Sequence, residues 1–582
     1  MWRYDANRSA ASPHDLPESL QLKWIRQYTQ RQQVWDDPVN HDVMPYDKVF
    51  EPIIFGDRMF LGFNDRDKVV AISLSSGQQL WEFFTDGPVR FPPIAWRGKV
   101  YFSSDDGYLY CVSVENGALV WKFRGGPSQR KAIGNKRMIS AWPARGGPVI
   151  RDEQIYFAAS IWPFMGTFIY ALDAETGQVV WVNDSTSAQY IKQPHGAPAF
   201  AGVAPQGALV ATEEVLLVPG GRSVPAAFER KTGKFLYFNI GGKGRGGSFV
   251  CADEKNAYVH TRVRGVRISE LHGGADSDRE INEPVLTEGG TISVVGDALH
   301  AETEMMEFKV DVDASGDLIR AGTRLYAAGA NEISVLNTAG KIVASHPVQG
   351  QVLRLVAGGD KLVAVTLDGR ILCFGDASAN VVTTHQSIIQ EKIKGIDLSQ
   401  KVVSFARQLV EHTDAKDGYA LWYGNSGSRL VHGILNQSNL QLSVVDPDAD
   451  KVNRMRRYFD AAGMYGHRVT IHHGDPTNFQ APPYVANLIV IGSSRVDQYV
   501  TTEYLPTIYE SVRPYGGVLW IAVKATQRES ISEVVRKMQL PQAKIQSYAS
   551  GILVIREGPL PGAADWTHQH GDIANTVKSN DQ

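Results

Sequence analysis

The chain has 582 residues, 43% hydrophobic and 21% charged, with 59 Lys+Arg against 62 Asp+Glu and a net charge of -3. That length exceeds one ordinary domain, and the composition suits globular units with sizeable cores. The balanced charge leaves no electrostatic footprint for nucleic acid, no apolar run reaches the ~20 residues of a membrane span, and Cys111, Cys251 and Cys373 lie too far apart to read as a disulfide framework.

The opening, MWRYDANRSAASPHDL, lacks the apolar stretch of a secretory signal. Residues 20–28, LQLKWIRQY, read as an isolated strand, expected to pair with the last repeat and leave no open edge. A phrase then recurs: an apolar strand, a turn ending in Gly, and a large aromatic ring four residues on. It carries Gly77 and Trp81, Gly117 and Trp121, Gly177 and Trp181, then Gly233 and Tyr237. Recurrence at ~40 residues or more, with paired strands in each copy, marks a β-propeller. Asp106-Gly107 and Thr176-Gly177 suit hairpin turns that need positive φ. The tryptophans, at one fixed offset, are expected to pack on the neighbouring blade. Fainter copies continue to Gly375, for roughly seven or eight blades in a domain over residues 1–380.

Two phrases, DGYLYCVSVENGALVWKF and IYALDAETGQVVW, resemble the quinoprotein-type propeller, a repeat family that includes pyrroloquinoline quinone dehydrogenases and the outer-membrane assembly lipoprotein. The resemblance covers residues 1–375 and speaks to fold more than to activity. It implies a protein partner on the propeller and a cell-envelope setting. The dehydrogenases of that family carry adjacent cysteines beside the quinone. This chain has none, so pyrroloquinoline quinone is not expected as a cofactor.

Beyond Gly375 the pattern changes. Residues 391–413 read as a helix with Ile393, Ile396, Leu398, Val402, Val403, Phe405 and Leu409 on one face. ALWYG, LQLSVVD, RVTIHHGD, ANLIVIG and GVLWIAV then alternate with helical segments, and AKIQSYA with GILVIRE forms a hairpin-like pair. Apolar strands with crossover helices define a parallel sheet covered on both faces, a Rossmann-like α/β domain over residues 385–558. Ligands of such sheets sit at the carboxyl ends of the strands. Gly424, Asn425, Ser426 and Gly427 follow the first strand, and small residues there let a ligand approach the helix N-terminus. Asp446 ends the second strand, where a carboxylate can accept from ribose hydroxyls, and Asp475 ends the third. Ordinary helix capping is the competing explanation for both acids. His472 and His473 are adjacent on a strand, point to opposite faces and make no metal pair. Ser493-Ser494 follow the fourth strand, but no catalytic set stands out.

YALWYGNSGSRL, SVVDPDADKV and VTIHHGDPTNF together resemble the class I S-adenosylmethionine-dependent methyltransferase domain, over residues 388–557. The resemblance implies S-adenosylmethionine as cofactor. Residues 424 to 427 would then face its methionine part, Asp446 its ribose and Asp475 its adenine. Trp422 or Tyr423 stands where that family has an acid, and Ser426 and Ser428 replace two of its glycines. In the polar tail, residues 559–582, Trp566, Asp572, Ala574, Asn575 and Thr576 resemble the opening segment of quinoprotein propellers. Trp2, Asp5, Asn7 and Ser9 echo it. A second propeller beyond the tail is the expectation. Two functions compete: an interaction scaffold with a methyltransferase-like domain, or a methyltransferase whose propeller recruits substrate, which would need a cytoplasmic supply of S-adenosylmethionine.

Overall fold

In the computed structural model of the chain, every residue is described except 32, 34–45, 194–195, 222, 239–244, 262–264, 305, 377–381, 387–397, 425–426, 549 and 581–582. The chain divides into two compact units, one of Met1–Ser128 with Ile139–Ile388, the other of Gln129–Met138 with Ile389–Gln582.

Eight antiparallel sheets, each built on four strands, make the first unit an eight-bladed propeller. The inner three strands of a blade are shielded by its neighbours, so Arg58–Phe63 and Lys68–Ser73 are buried along nearly their whole length. The outermost strands are half in solvent, and Leu119–Arg124 alternates exposed with half-buried positions. The eighth blade is completed by the N-terminal strand Leu20–Gln27, which pairs antiparallel with Arg370–Asp376 and sets Trp24 opposite Cys373. The ring therefore closes as the isolated strand suggested, with Thr383–Gln386 added in parallel outside it.

The aromatic–glycine phrase is an inter-blade joint. The Trp81 indole donates to the Val114 carbonyl of the next blade at 2.9 Å and lies flat on Gly117. Trp121 does the same to Glu175 and Gly177 at 3.1 Å, and Trp181 to Arg230 and Gly233 at 3.1 Å. Gly117, Gly177 and Gly233 have φ of 70°, 73° and 72°, and a Cβ on Gly117 would sit 2.7 Å from the ring. Only glycine meets both demands.

Residues 1–12 are threaded into the ring. The carbonyls of Ala6, Asn7, Ser9 and Ala10 accept from the backbone N–H of Ala211, Ala252, Leu286 and Arg320 at 2.8–3.0 Å, four consecutive blades. Arg8 is fully buried and donates to the carbonyls of Trp2, Pro148 and Leu209. A guanidinium with its donors on backbone carbonyls substitutes for the missing edges of the inner strands.

The second unit holds a seven-stranded sheet. Its strands are β1 (Tyr419–Tyr423), β2 (Gln441–Asp446), β3 (Val469–His473), β4 (Ala486–Ile491), β5 (Gly517–Ile521), β6 (Ala543–Tyr548) and β7 (Gly551–Arg556). Their order is β3-β2-β1-β4-β5-β7-β6, parallel throughout except β7, which runs antiparallel to both neighbours. Leu421, Ile489, Leu519 and Val554 face a core completed by Leu505 and Ile508 of one helix and Val535 of another. The opposite face is covered by α1 (Gln400–Thr413) and α2 (Ser428–Gln437). Of the helix read from sequence at 391–413, residues 391–397 lie outside the described residues. The remainder buries Ala406, Leu409 and Val410.

Candidate functional site

The carboxyl edge of the parallel strands carries the candidate residues. Gly424 leaves β1 with φ 69°, and its N–H donates to the Val445 carbonyl at 3.0 Å. Asn425 and Ser426 lie outside the described residues. Gly427 precedes α2 with φ 153°, and a Cβ there would meet nothing. The turn is tightly packed on its other side. A Cβ on Gly424 would fall 2.1 Å from the Arg495 Cγ, so the Arg495 stem lies directly over the glycine.

Asp446 ends β2 and is fully buried. One of its oxygens accepts the Asp448 N–H at 3.1 Å, and the other is held by the Lys451 ammonium at 2.5 Å. Lys451 stands in the first turn of α3 (Ala449–Ala461), whose N-cap is Asp448. A carboxylate deprived of water needs a counter-charge, and here the following helix supplies it. Asp475 is engaged locally. It caps the short turn after β3 by accepting from the N–H groups of Thr477 and Asn478 at 2.8 and 3.1 Å; burial pushes its carboxyl up, but the Thr477 hydroxyl at 2.6 Å, with these two N–H groups, outweighs it and holds the carboxyl below its usual value.

Between this edge and α1 lies a cavity of about 270 Å³ lined by Phe405, Leu409, Trp422, Val490, Trp520 and Lys524, among others. Trp422 pairs with Val490, and Val490 with Trp520, so these three side chains form one row across three adjacent strands. Both indoles are 2% exposed, and neither ring N–H has a partner among the described residues. A Cβ on Gly492 would stand 2.0 Å from the Gly424 carbonyl oxygen, so glycine is required where the ends of β1 and β4 meet. Ser493 lines the cavity and Ser494 donates to the Gly424 carbonyl at 3.4 Å. Sequence reading missed Lys451, Arg495 and the tryptophan pair. The signal for the pair was the shared penultimate position of Trp422 and Trp520 in their strands, visible once the register is known.

His472 is buried against Phe479 and shares a hydrogen bond with the Thr470 hydroxyl at 3.0 Å, whereas His473 is exposed. Among the described residues no group of three His, Cys, Asp or Glu could hold a metal.

The ring has its own charged centres. Where the chain enters the inner strands of the second and third blades, Asp105 takes Arg90 at 2.7 Å and Arg145 at 2.9 Å, and Asp47 takes Arg90 at 2.6 Å. Burial pushes the Asp105 carboxyl up, but Arg145 and Arg90 outweigh it and bring it to about 2. In a second centre, against Trp2 and Arg3 of the segment 1–12, Arg354 binds Glu51, Glu283 and Asp317 at 2.7–3.3 Å, and Arg3 also reaches Asp317. A cavity of about 600 Å³ lies beside this segment, over Pro52, Ile54 and Val356 of blades its backbone does not pair with. Cys111, Cys251 and Cys373 are buried in three different blades, and burial pushes all three thiols up.

Residues 23–261 match the model of a family described as outer membrane protein assembly factor BamB. The ring is a PQQ-like repeat propeller. The chain is 29% identical over 168 residues to the tetrathionate hydrolase of Acidithiobacillus ferrooxidans, which is 28% of this chain and 31% of that protein. It is 25% identical over 162 residues to the BamB of Legionella pneumophila, 26% of this chain and 35% of that one. This chain thus spans about a third of the length of these relatives. A solved quinohemoprotein alcohol dehydrogenase from Pseudomonas putida HK5 covers 70% of this chain, which in turn covers 84% of it, at 10% identity and a TM-score of 0.42. Among the described residues no helix is long and apolar enough to cross a membrane.

Proposed function

We propose that the chain is a protein-interaction scaffold: a PQQ-like propeller joined to a methyltransferase-type domain whose nucleoside site is held shut by its own side chains. The observation that carries this reading is the Lys451–Asp446 ion pair. A ribose needs the Asp446 carboxylate as a free acceptor, but that carboxylate is fully buried and already neutralised. Arg495 over Gly424 blocks the close backbone approach for which the glycine turn would serve. The methyltransferase-type assignment itself is supported by the strand order β3-β2-β1-β4-β5-β7-β6 with an antiparallel β7, together with the turn and acids at the strand ends. The scaffold role is supported by the ring, whose inner edges are occupied by residues 1–12 and whose buried ions are paired with one another. The matched assembly-factor family is named for assembly rather than for a reaction.

A second reading, an active methyltransferase, draws on the cavity with the two unpartnered indoles, which is shaped for an apolar ligand with acceptor atoms. Calorimetry separates the two. The scaffold reading expects no heat when the folded chain is titrated with S-adenosylmethionine or its demethylated product. Micromolar binding that Asp446→Ala abolishes would overturn it in favour of the enzyme.

A further inference from the structure

Residues 570–577 repeat the fold of residues 3–10. Asp5 accepts the Ser9 N–H at 3.0 Å on one oxygen and its hydroxyl at 2.6 Å on the other. Asp572 accepts the Thr576 N–H at 3.0 Å and its hydroxyl at 2.6 Å. The Arg8 N–H donates to the Asp5 carbonyl and Ala10 to Arg3, and, in the same order, Asn575 donates to Asp572 and Val577 to His570. Positive φ falls at three matching places, 61° and 58° at Arg8 and Ala10, 55° and 53° at Asn575 and Val577, 78° and 96° at Tyr4 and Gly571; Arg3, at 48°, differs from its counterpart His570. Three hydrogen-bonded loops and three left-handed residues coincide at one constant offset.

The surroundings differ. Ala6 and Ala10 of the first knot are 6% and 3% exposed, pressed into the ring. Their counterparts in the second, Ile573 and Val577, are 83% and 60% exposed, and Trp566 just upstream is 62% exposed. Val577 is β-branched and left-handed, a costly conformation on a free surface. The first knot acquires its burial by handing four backbone carbonyls to four consecutive blades. The second has the same three hydrogen-bonded loops with larger apolar side chains, and among the described residues these side chains stay exposed.

We propose that residues 566–577 are a preformed plug for a second PQQ-like propeller, one whose inner strands lack a plug of their own. The ring of this chain, or of another copy, is not the receiver, because residues 6–10 already occupy its inner edges. The inference is independent of the methyltransferase reading.

The test uses a labelled peptide of residues 562–580, the full chain, and a form of the chain beginning at Pro13, which is an available ring without a plug. The peptide should bind the shortened chain, be displaced by a peptide of residues 1–12, and bind the full chain at least about tenfold more weakly. Asp572→Ala should weaken it by about tenfold, through loss of both bonds that lock the knot. If the shortened chain binds residues 1–12 but not 562–580, or if full and shortened chains bind the tail peptide equally, the proposal fails. If the shortened chain does not fold, the full chain with residues 3–10 replaced by the sequence of 570–577 decides. Slow amide exchange across the graft, as in the natural segment, supports the plug, and solvent-like exchange overturns it.

Discussion

Trp24 lies on Gly77: the indole of the ring-closing strand donates to the Leu74 carbonyl at 2.9 Å, and a Cβ on Gly77 would stand 2.7 Å from its ring. The same joint that links the first blade to the second thus links the eighth to the first. Trp24→Ala should cost about 3–5 kcal/mol in chemical denaturation. Trp24→Phe keeps most of the packing and should cost nearer 1 kcal/mol, for the lost hydrogen bond. Equal losses from the two variants would show that the joint does not depend on ring packing.

Gly117→Ala tests the other half of the joint. It forces an L-residue to φ 70° and drives a methyl into Trp81. About 3 kcal/mol of destabilisation is expected, the sum of left-handed strain and overpacking. In a Trp81→Ala background the overpacking part should vanish, leaving about 1–2 kcal/mol. A double-mutant cycle with no coupling would refute the contact.

Stability against acid should report Asp105. Its carboxyl is brought to about 2 in the folded chain, below the ~3.9 of an unfolded aspartate. A depressed carboxyl contributes fully above the unfolded value, and the contribution disappears as pH falls through the folded one. The natural chain should therefore lose stability between about pH 4 and pH 2 more steeply than Asp105→Asn, which should be the less stable of the two at pH 7. Parallel acid titrations of the two would contradict this account.

Lys451→Ala leaves the Asp446 carboxylate buried without its cation, and a loss of about 3–5 kcal/mol is expected. Lys451→Ala with Asp446→Asn should recover part of it, since an amide can be buried without a counter-charge. Thermal melts of the single and double variants decide, and a single variant as stable as the natural chain would remove the basis for a closed site.

What the sequence made legible follows from periodicity. The Gly-to-Trp phrase is local, so three joints and the propeller could be read directly, whereas Trp24 carries no such phrase because its turn partner on the blade is replaced by a long-range connection. Asp446 was visible as the end of an apolar run. Its ion pair was not, because Lys451 reaches back across a strand-to-helix junction where no period applies. Trp422 and Trp520 needed strand register before they became neighbours of one cavity.

The membership of Gln129–Met138 in the second unit bears on how such a chain is made. Met138 is 4% exposed within the apolar core that Leu421, Ile489 and Leu519 build in the second unit. The ribosome therefore delivers one piece of that core long before the sheet that receives it, and the polypeptide passes between the units three times, at 128, 138 and 388. Neither unit is a cassette that can be cut at a single joint: a gene segment starting at 389 would encode a sheet with an apolar notch where Met138 belongs.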